Sequence, residues 1–477
     1  MGLVVAVAAL LVASTIAVVQ FVQLREARRD LERAGGQETG ESDENGGLGG
    51  LFEDLLEDLL GEGGLPGGSQ FDLFSCLSGG GSPGVQPAPA EGGLAEQVRA
   101  IARAVEQIRQ LRFEETVEPE FLSAQESADR VQEAFLEDYS AEMADAETRI
   151  LEALGAIPLG TDLRETRAEA LGAQVVGFYV PGTGELVVRT SGDTLGPVDR
   201  VTLAHELEHA LADQTLGLPL PLKLKPGRED RDLAALAVIE GDATLTMQRY
   251  AFTLPFDDQL QLADPSLTAE AEAGLAELPY YLQQELLFPY EDGLSFVCRL
   301  YAAGGWEEVN RAYADPPTTS AQILFPERFA AEEAAVDPAD PGGPGGGWTL
   351  EAVHELGAAN LLWLFEAPGG DPSAGLEDPM TGAGAWAGGE VHLWERGDDA
   401  AIGVALAERE DADVLCVAIS HWYAAAFPEA RPSGSALDGG LELDDEGQDA
   451  VLTCSDDEVH LGIGPNLSTA RSLAATN

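Results

Sequence analysis

The stretch VDRVTLAHELEHALADQ, residues 198–214, carries His205, Glu206 and His209 in the spacing HExxH. Side chains four residues apart lie on one helix face, so the two imidazoles can converge on a single metal ion while Glu206 reaches a water bound to it. The segment reads as such a helix, because Leu203, Ala210 and Leu211 form an apolar side and no Pro or Gly interrupts it. The whole chain has six histidines, so chance would produce this spacing in roughly one such sequence in a hundred or fewer.

A catalytic zinc site needs three protein ligands and one open position. The third donor is read in DLAALAVIEGDATLTMQRY, residues 232–250, where Glu240 lies 31 positions beyond His209 and closes an apolar run. A carboxylate buried there requires a partner, and a zinc ion provides one. Just ahead of the HExxH segment, VVGFYV (175–180), the turn PGTG and ELVVRT (185–190) predict a β-hairpin. Its second arm, Glu185 to Thr190, is the candidate edge strand for pairing with an extended peptide.

An HExxH helix followed by a second helix with a glutamate ligand resembles the gluzincin group of zinc metallopeptidases, to which thermolysin belongs. The stretch EGDA, Glu240 to Ala243, is similar to the Glu-Gly-x-Ala signature around the third ligand in several of these enzymes. The resemblance implies one zinc ion held by His205, His209 and Glu240, with Glu206 as the catalytic base. This chain departs from thermolysin's shorter gap, and Asp242 does not fall where thermolysin's usual supporting aspartate sits. Most of the ordered sequence is also similar to a largely uncharacterised bacterial group classed with the zinc metallopeptidases. The matching stretches are VVGFYVPGTGELVV, LAHELEHALADQ, EGDAT, PYEDGLSFVCRLYAAGGW, DPPTTSAQILFPERF and GAWAGGEVHLWERGDD. In that group the segment matching ILFPE often carries histidine where this chain has Phe325, so no histidine role transfers there. No particular substrate comes with the resemblance.

Neighbouring residues admit more than one role. Glu208, inside HELEH, is a solvated or structural carboxylate. Asp213, four residues after His209, either holds that imidazole's other nitrogen or faces water. Tyr250, Tyr290 and His354 are the candidates for steadying a tetrahedral oxyanion. His392, His421 and His460 lack ligand-like spacing.

The chain sets 84 Asp and Glu against 26 Lys and Arg, a formal charge of −58, and 45% of its residues are hydrophobic. Such a charge excludes direct binding to a nucleic-acid backbone, which needs a positive surface to displace counterions. The hydrophobic content still permits a real core, so wholesale disorder is also excluded. Residues 2–22 carry no charged side chain and at 1.5 Å rise span about 31 Å, the length of a membrane anchor. Four arginines follow it (Arg25, Arg28, Arg29 and Arg33), which favours a cytoplasmic catalytic region. Four cysteines, Cys76, Cys298, Cys416 and Cys454, read either as buried thiols or as two disulfides of an exported domain, with Cys416 and Cys454 the better pair. The expected placement is a single-pass membrane protein with its catalytic domain outside, the cytoplasmic face being the alternative.

Residues 1–24 are therefore read as anchor and 25–93 as a flexible acidic Gly-rich linker, within which LFEDLLEDLL (51–60) has helical spacing. A zincin-like metallopeptidase region is expected over 94–435, and an acidic loop and strand segment over 436–477. A helix begins near Leu94, helical pattern runs over 123–154, and another helix over His354 to Glu366; EVHLWER, DVLCVAIS and DAVLTC read as strands. The expected class is α+β, with a small twisted sheet beside two metal-bearing helices and an α-rich remainder. The expected activity is zinc-dependent hydrolysis of a peptide or protein substrate, with a catalytically inactive binding domain of the same fold as the alternative.

Overall fold

The computed structural model of the 477-residue chain describes residues 4–6, 76–77 and 93–475, except 191, 193, 221–226, 268, 410–413, 433–440, 445–447 and 456. Helix α1 (Leu94–Arg109) buries Val98, Ile101, Val105 and Ile108, the apolar face read in the sequence. The helical pattern over 123–154 divides into α2 (Ala124–Asp138) and α3 (Ala141–Ala153). Two serines cause the division: Ser123 forms a capping box with Glu126, and the Ser140 side chain accepts from the Met143 N–H to begin a new helix. Helix α4 (Leu163–Gln174), capped by Asp162, leads into the hairpin.

The hairpin forms as expected from β3 (Gly177–Val180) and β4 (Glu185–Arg189), with Gly182 and Gly184 at positive φ in the turn. Its edges are not where the sequence suggested. The sheet order is β1-β3-β4-β2, with β1 (Val4–Ala6) antiparallel to β3 and β2 (Glu120–Leu122) parallel to β4. Val187–Arg189 of β4 is thereby flanked on both sides, by β2 and by the β3 arm, so that part of the strand cannot offer its main chain to a peptide substrate.

The helices that matter for chemistry follow. Helix α5 (Pro197–Thr215) starts with Pro at its first turn and with the Asp199 carboxylate accepting from the Gly196 N–H at 2.9 Å. Helix α6 (Glu229–Ala251) packs along it, and α7 (Tyr280–Gly304) crosses α6 at two glycines. A Cβ on Gly241 would lie 2.3 Å from the Gly293 carbonyl oxygen, and one on Gly293 equally close to that of Ala237. The glycine of EGDA is thus required by backbone contact between helices. Helix α8 (Trp306–Ala314) closes this layer.

A second sheet of seven strands, all antiparallel, runs in the order β5-β6-β7-β11-β10-β9-β8. Its strands are β5 (Thr349–Glu355), β6 (Trp386–Arg396), β7 (Asp399–Glu408), β8 (Arg431–Pro432), β9 (Leu441–Asp444), β10 (Asp449–Cys454) and β11 (Glu458–Gly464). The architecture is mixed α+β as expected, but the part read as an α-rich remainder carries the larger sheet. Helix α9 (Ala358–Glu366) begins only after Gly357, whose N–H is accepted by the Asn360 side chain, so His354 ends a strand instead of opening a helix. VLCVAIS, within the stretch read as a strand, belongs to helix α10 (Val414–Ala426), which buries Leu415, Cys416, Ile419, Trp422 and Tyr423 at helical spacing. A continuous apolar run does not distinguish the two states until HWYAAA extends it beyond strand length.

All four cysteines are paired, Cys76 with Cys298 and Cys416 with Cys454. Within the stretch read as linker, Cys76 and Leu77 are buried, and the Arg249 guanidinium donates to the Cys76 carbonyl at 2.7 and 3.1 Å. Among the described residues no helix is long and apolar enough to cross a membrane. Val4–Ala6, inside the expected span, is extended and paired to β3, whereas a spanning helix satisfies its main chain internally. The single-pass placement is accordingly withdrawn for either face. The rest of that apolar segment and LFEDLLEDLL lie outside the described residues.

Candidate metal centre

Helices α5 and α6 bring His205, His209 and Glu240 together in the interior, where all three are buried. The His205 and His209 Nε2 atoms lie 3.0 Å apart, and Glu240 Oε2 lies 3.1 Å from the first and 3.4 Å from the second. Two ligands bound about 2.0–2.1 Å from a tetrahedral ion stand about 3.3 Å apart, so the triangle has the dimensions of one face of a zinc site. Burial, with the His209 ring beside it, lowers the His205 pKa despite the opposing Glu240 carboxylate, which keeps the imidazole neutral and able to coordinate. Burial acts to raise the Glu240 pKa, but His209 and His205 hold it below the ordinary range as the anion.

Glu206, next to His205, is fully buried, and neither carboxylate oxygen has a hydrogen-bond partner among the described residues. Desolvation first, then the Glu240 charge, push its pKa well above the usual carboxylate value. The carboxylate lies against the start of β3: a Cβ on Gly177 would sit 2.9 Å from Glu206 Cγ and 3.0 Å from Oε1. Gly177 therefore makes room for the Glu206 carboxyl, a role that no local pattern in the sequence announces.

Charge supplies a second test of fit. Four carboxyl groups, Glu206, Glu208, Glu240 and Asp242, are at most 1% exposed. Arg109, the last residue of α1, faces two of them, with Nε 3.3 Å from Glu208 and 3.1 Å from Asp242. Glu208 is thus structural and not solvated, and Asp242 belongs to the Arg109 group, where it also accepts from the Tyr313 hydroxyl at 3.0 Å. Arg109 thus faces Glu208 and Asp242 and not Glu240, which is held as the anion without an Arg or Lys partner among the described residues, a charge that a dication offsets. The donor set of two imidazoles and one carboxylate, with an unpartnered carboxyl beside it, suits zinc in a catalytic coordination.

Of His205, Glu206, His209 and Glu240, Glu240 alone lines a cleft of about 400 Å³, together with Tyr290. Its walls are largely apolar, with Leu233, Leu236, Leu282, Leu286 and Trp363 among them. On its polar side Arg167 is held by Glu147 and Glu285, at 2.7 and 2.9 Å. Of the three oxyanion candidates, Tyr290 both lines this cleft and lies beside His205, with tilted rings whose centroids are 6.4 Å apart. His354 also lines the cleft but is ion-paired to Glu229 at 2.8 Å. Tyr250 is buried and is not among the cleft residues. Asp213 accepts a hydrogen bond from the Tyr179 hydroxyl at 2.8 Å, so it is engaged away from His209.

A second grouping, Asp340, Glu390 and His392, has donor atoms within 4.8 Å of one another. There Asp340 is exposed and His392 meets Glu390 at 3.2 Å, a contact between neighbouring side chains of β6 that needs no metal to explain it. Comparisons with protein-family profiles, curated proteins and solved structures return no match.

Proposed function

We propose that this chain is a zinc-dependent hydrolase with a zincin-like active site and, within that class, a metallopeptidase acting on peptide or protein substrates. The observation that carries the reading is the convergence of His205 Nε2, His209 Nε2 and Glu240 Oε2 within 3.4 Å, beside a buried glutamate whose carboxyl is otherwise unengaged. His205, His209 and Glu240 would hold the metal. When bound, zinc supplies Lewis acidity that makes water a better acid and polarises the scissile carbonyl.

Every other role belongs to side chains of this protein. Glu206 accepts the proton of the attacking water and returns it to the leaving amine, so one carboxylate serves both halves of the hydrolysis. Tyr290 offers its hydroxyl to the oxyanion from the cleft side. The leucine-rich walls hold the substrate's apolar side chains and exclude water from the reacting bond. The test is Glu206→Gln, measured for both hydrolysis and metal content. Loss of hydrolysis with one zinc per chain retained supports the assignment, whereas full activity at unchanged zinc would remove Glu206 as the base.

A further inference from the structure

The cleft beside Glu240 follows one stripe of each of two neighbouring helices, from Glu229 to Glu240 on α6 and from Leu282 to Tyr290 on α7. Glu229 and Glu240 are 11 positions apart, a helical rise of about 16 Å and the reach of about five residues of extended peptide. Glu240 and Tyr290 mark the metal end, where Glu240 Oε1 is buried without a hydrogen-bond partner among the described residues. Leu233, Leu236 and Leu286 line the stretch beyond, and the His354–Glu229 pair stands at the far end of the α6 stripe.

Along this path the cleft offers acceptors. Six carboxyl side chains line it, Asp138, Glu147, Glu229, Asp232, Glu240 and Glu285, against Arg167 and His354. Neither of those two is at liberty: His354 is turned to Glu229, and all three guanidinium nitrogens of Arg167 are committed. Arg167 Nη1 donates to Glu147 at 2.7 Å and to the Tyr139 hydroxyl at 2.9 Å, Nη2 to Glu147 at 2.7 Å and to Glu285 at 2.9 Å, and Nε to Glu285 at 3.2 Å. The arginine lies deeper than the groups it holds, its side chain 15% exposed against 23% for Glu147 and 31% for Glu285. A substrate in the cleft thus meets carboxyl oxygens fixed in place by the guanidinium beneath them. Burial pushes the Glu285 pKa up, Arg167 offsets this in part, and Glu147 adds to the rise. A second cation beside Glu285 acts as Arg167 does and favours the carboxylate.

We propose that Glu147 and Glu285, held by Arg167, are specificity-determining residues that receive a basic group of the substrate, a Lys or Arg side chain or a free α-amine. The leucines towards Glu240 receive apolar side chains. This rests on the metallopeptidase reading above and adds to it a class of substrate, an apolar peptide with a positive charge within about five residues of the cleaved bond. A basic group is paired there in a cleft of largely apolar walls, whereas an acidic one meets like charge.

The experiment uses the full zinc-loaded chain and fluorescence-quenched apolar peptides capped at both ends. Lys, norleucine or Glu is placed at each position in turn, and the norleucine peptides are also offered with a free N-terminus. For the best Lys peptide, or for the free amine, kcat/KM is expected to exceed that of the capped norleucine peptide at least about 10-fold, and Glu at that position should be poorest. A gain from Lys in capped peptides identifies a side chain as the cation, and a gain from the free amine alone identifies the terminus. In Glu285→Gln and Glu147→Gln, with zinc per chain retained, the ratio should fall towards one, which a general loss of activity would not produce. Wild-type rates within about twofold across Lys, norleucine, Glu and the free amine overturn the proposal while the peptidase reading stands. Folded variants that both keep the wild-type ratio do the same. If neither variant folds, the wild-type series decides. A zinc-loaded wild type that cleaves none of the peptides instead defeats the metallopeptidase reading, and the proposal with it.

Discussion

Replacing Gly177 with alanine tests how the hairpin and the catalytic helix depend on each other. The added methyl would stand 2.9 Å from Glu206 Cγ, 3.0 Å from its Oε1 and 3.1 Å from the Val187 carbonyl oxygen. Carbon contacts relax at about 3.5–4.0 Å, so Glu206 or β3 must retreat by about half an ångström. Overpacking of this kind costs about 1–3 kcal/mol of stability. A general base loses efficiency steeply with misplacement, about 10²-fold for 1 Å, so a fall in kcat of about 10-fold or more is expected. The three atoms nearest the new methyl belong to Glu206 and Val187, not to His205, His209 or Glu240, so zinc content should stay at that of the wild type. The assay is initial rates on a peptide that the wild type cleaves, with zinc per chain and a melting curve measured on the same preparations. A Gly177→Ala protein with wild-type kcat would refute the claim that β3 sets the position of Glu206.

Three further outcomes are expected. Tyr290→Phe should lower kcat by about 10²-fold with KM little changed, and an unchanged kcat would exclude Tyr290 as the oxyanion donor. The Cys76–Cys298 disulfide spans 222 positions, for which chain entropy gives a stabilisation of up to about 5 kcal/mol. Replacing both cysteines with alanine should therefore lower the denaturation midpoint markedly, and no shift would mean that the bond constrains nothing. The His354–Glu229 pair contributes to stability in a defined pH window. Although burial opposes it, the Glu229 carboxylate raises the His354 pKa; likewise burial opposes, but the His354 imidazole lowers, that of Glu229. The His354 share is present in full below its unfolded pKa of about 6.5 and is lost as pH rises through the raised folded value; the Glu229 share is lost as pH falls through its lowered one. The stability difference between wild type and His354→Ala should therefore shrink from pH 6 towards pH 9, and a constant difference would contradict the pairing.

The candidate metal centre was largely legible in the sequence because its first three residues sit on one helix, where spacing alone fixes which side chains share a face. Glu240 was legible as an acid in an apolar run, but its convergence with the histidines depends on α6 packing against α5, a contact between separate segments that no local pattern shows. Arg109 was not legible at all: its partners Glu208 and Asp242 lie 99 and 133 positions away, beyond any local pattern. The edge assignment for β4 failed because its covering neighbour, Glu120–Leu122, is a three-residue strand with no periodicity to read. DVLCVAIS failed for a different reason, since an unbroken apolar run satisfies a buried strand and a buried helix equally well.

The central claim, that His205, His209 and Glu240 form a zinc site, is tested most directly by zinc per chain in the full-length protein. The protein should be purified without added metal and without a metal-binding tag, with His205→Ala as control. About one zinc per wild-type chain, lost in the variant, is expected. A wild-type chain that carries no zinc and takes up none on titration would contradict it.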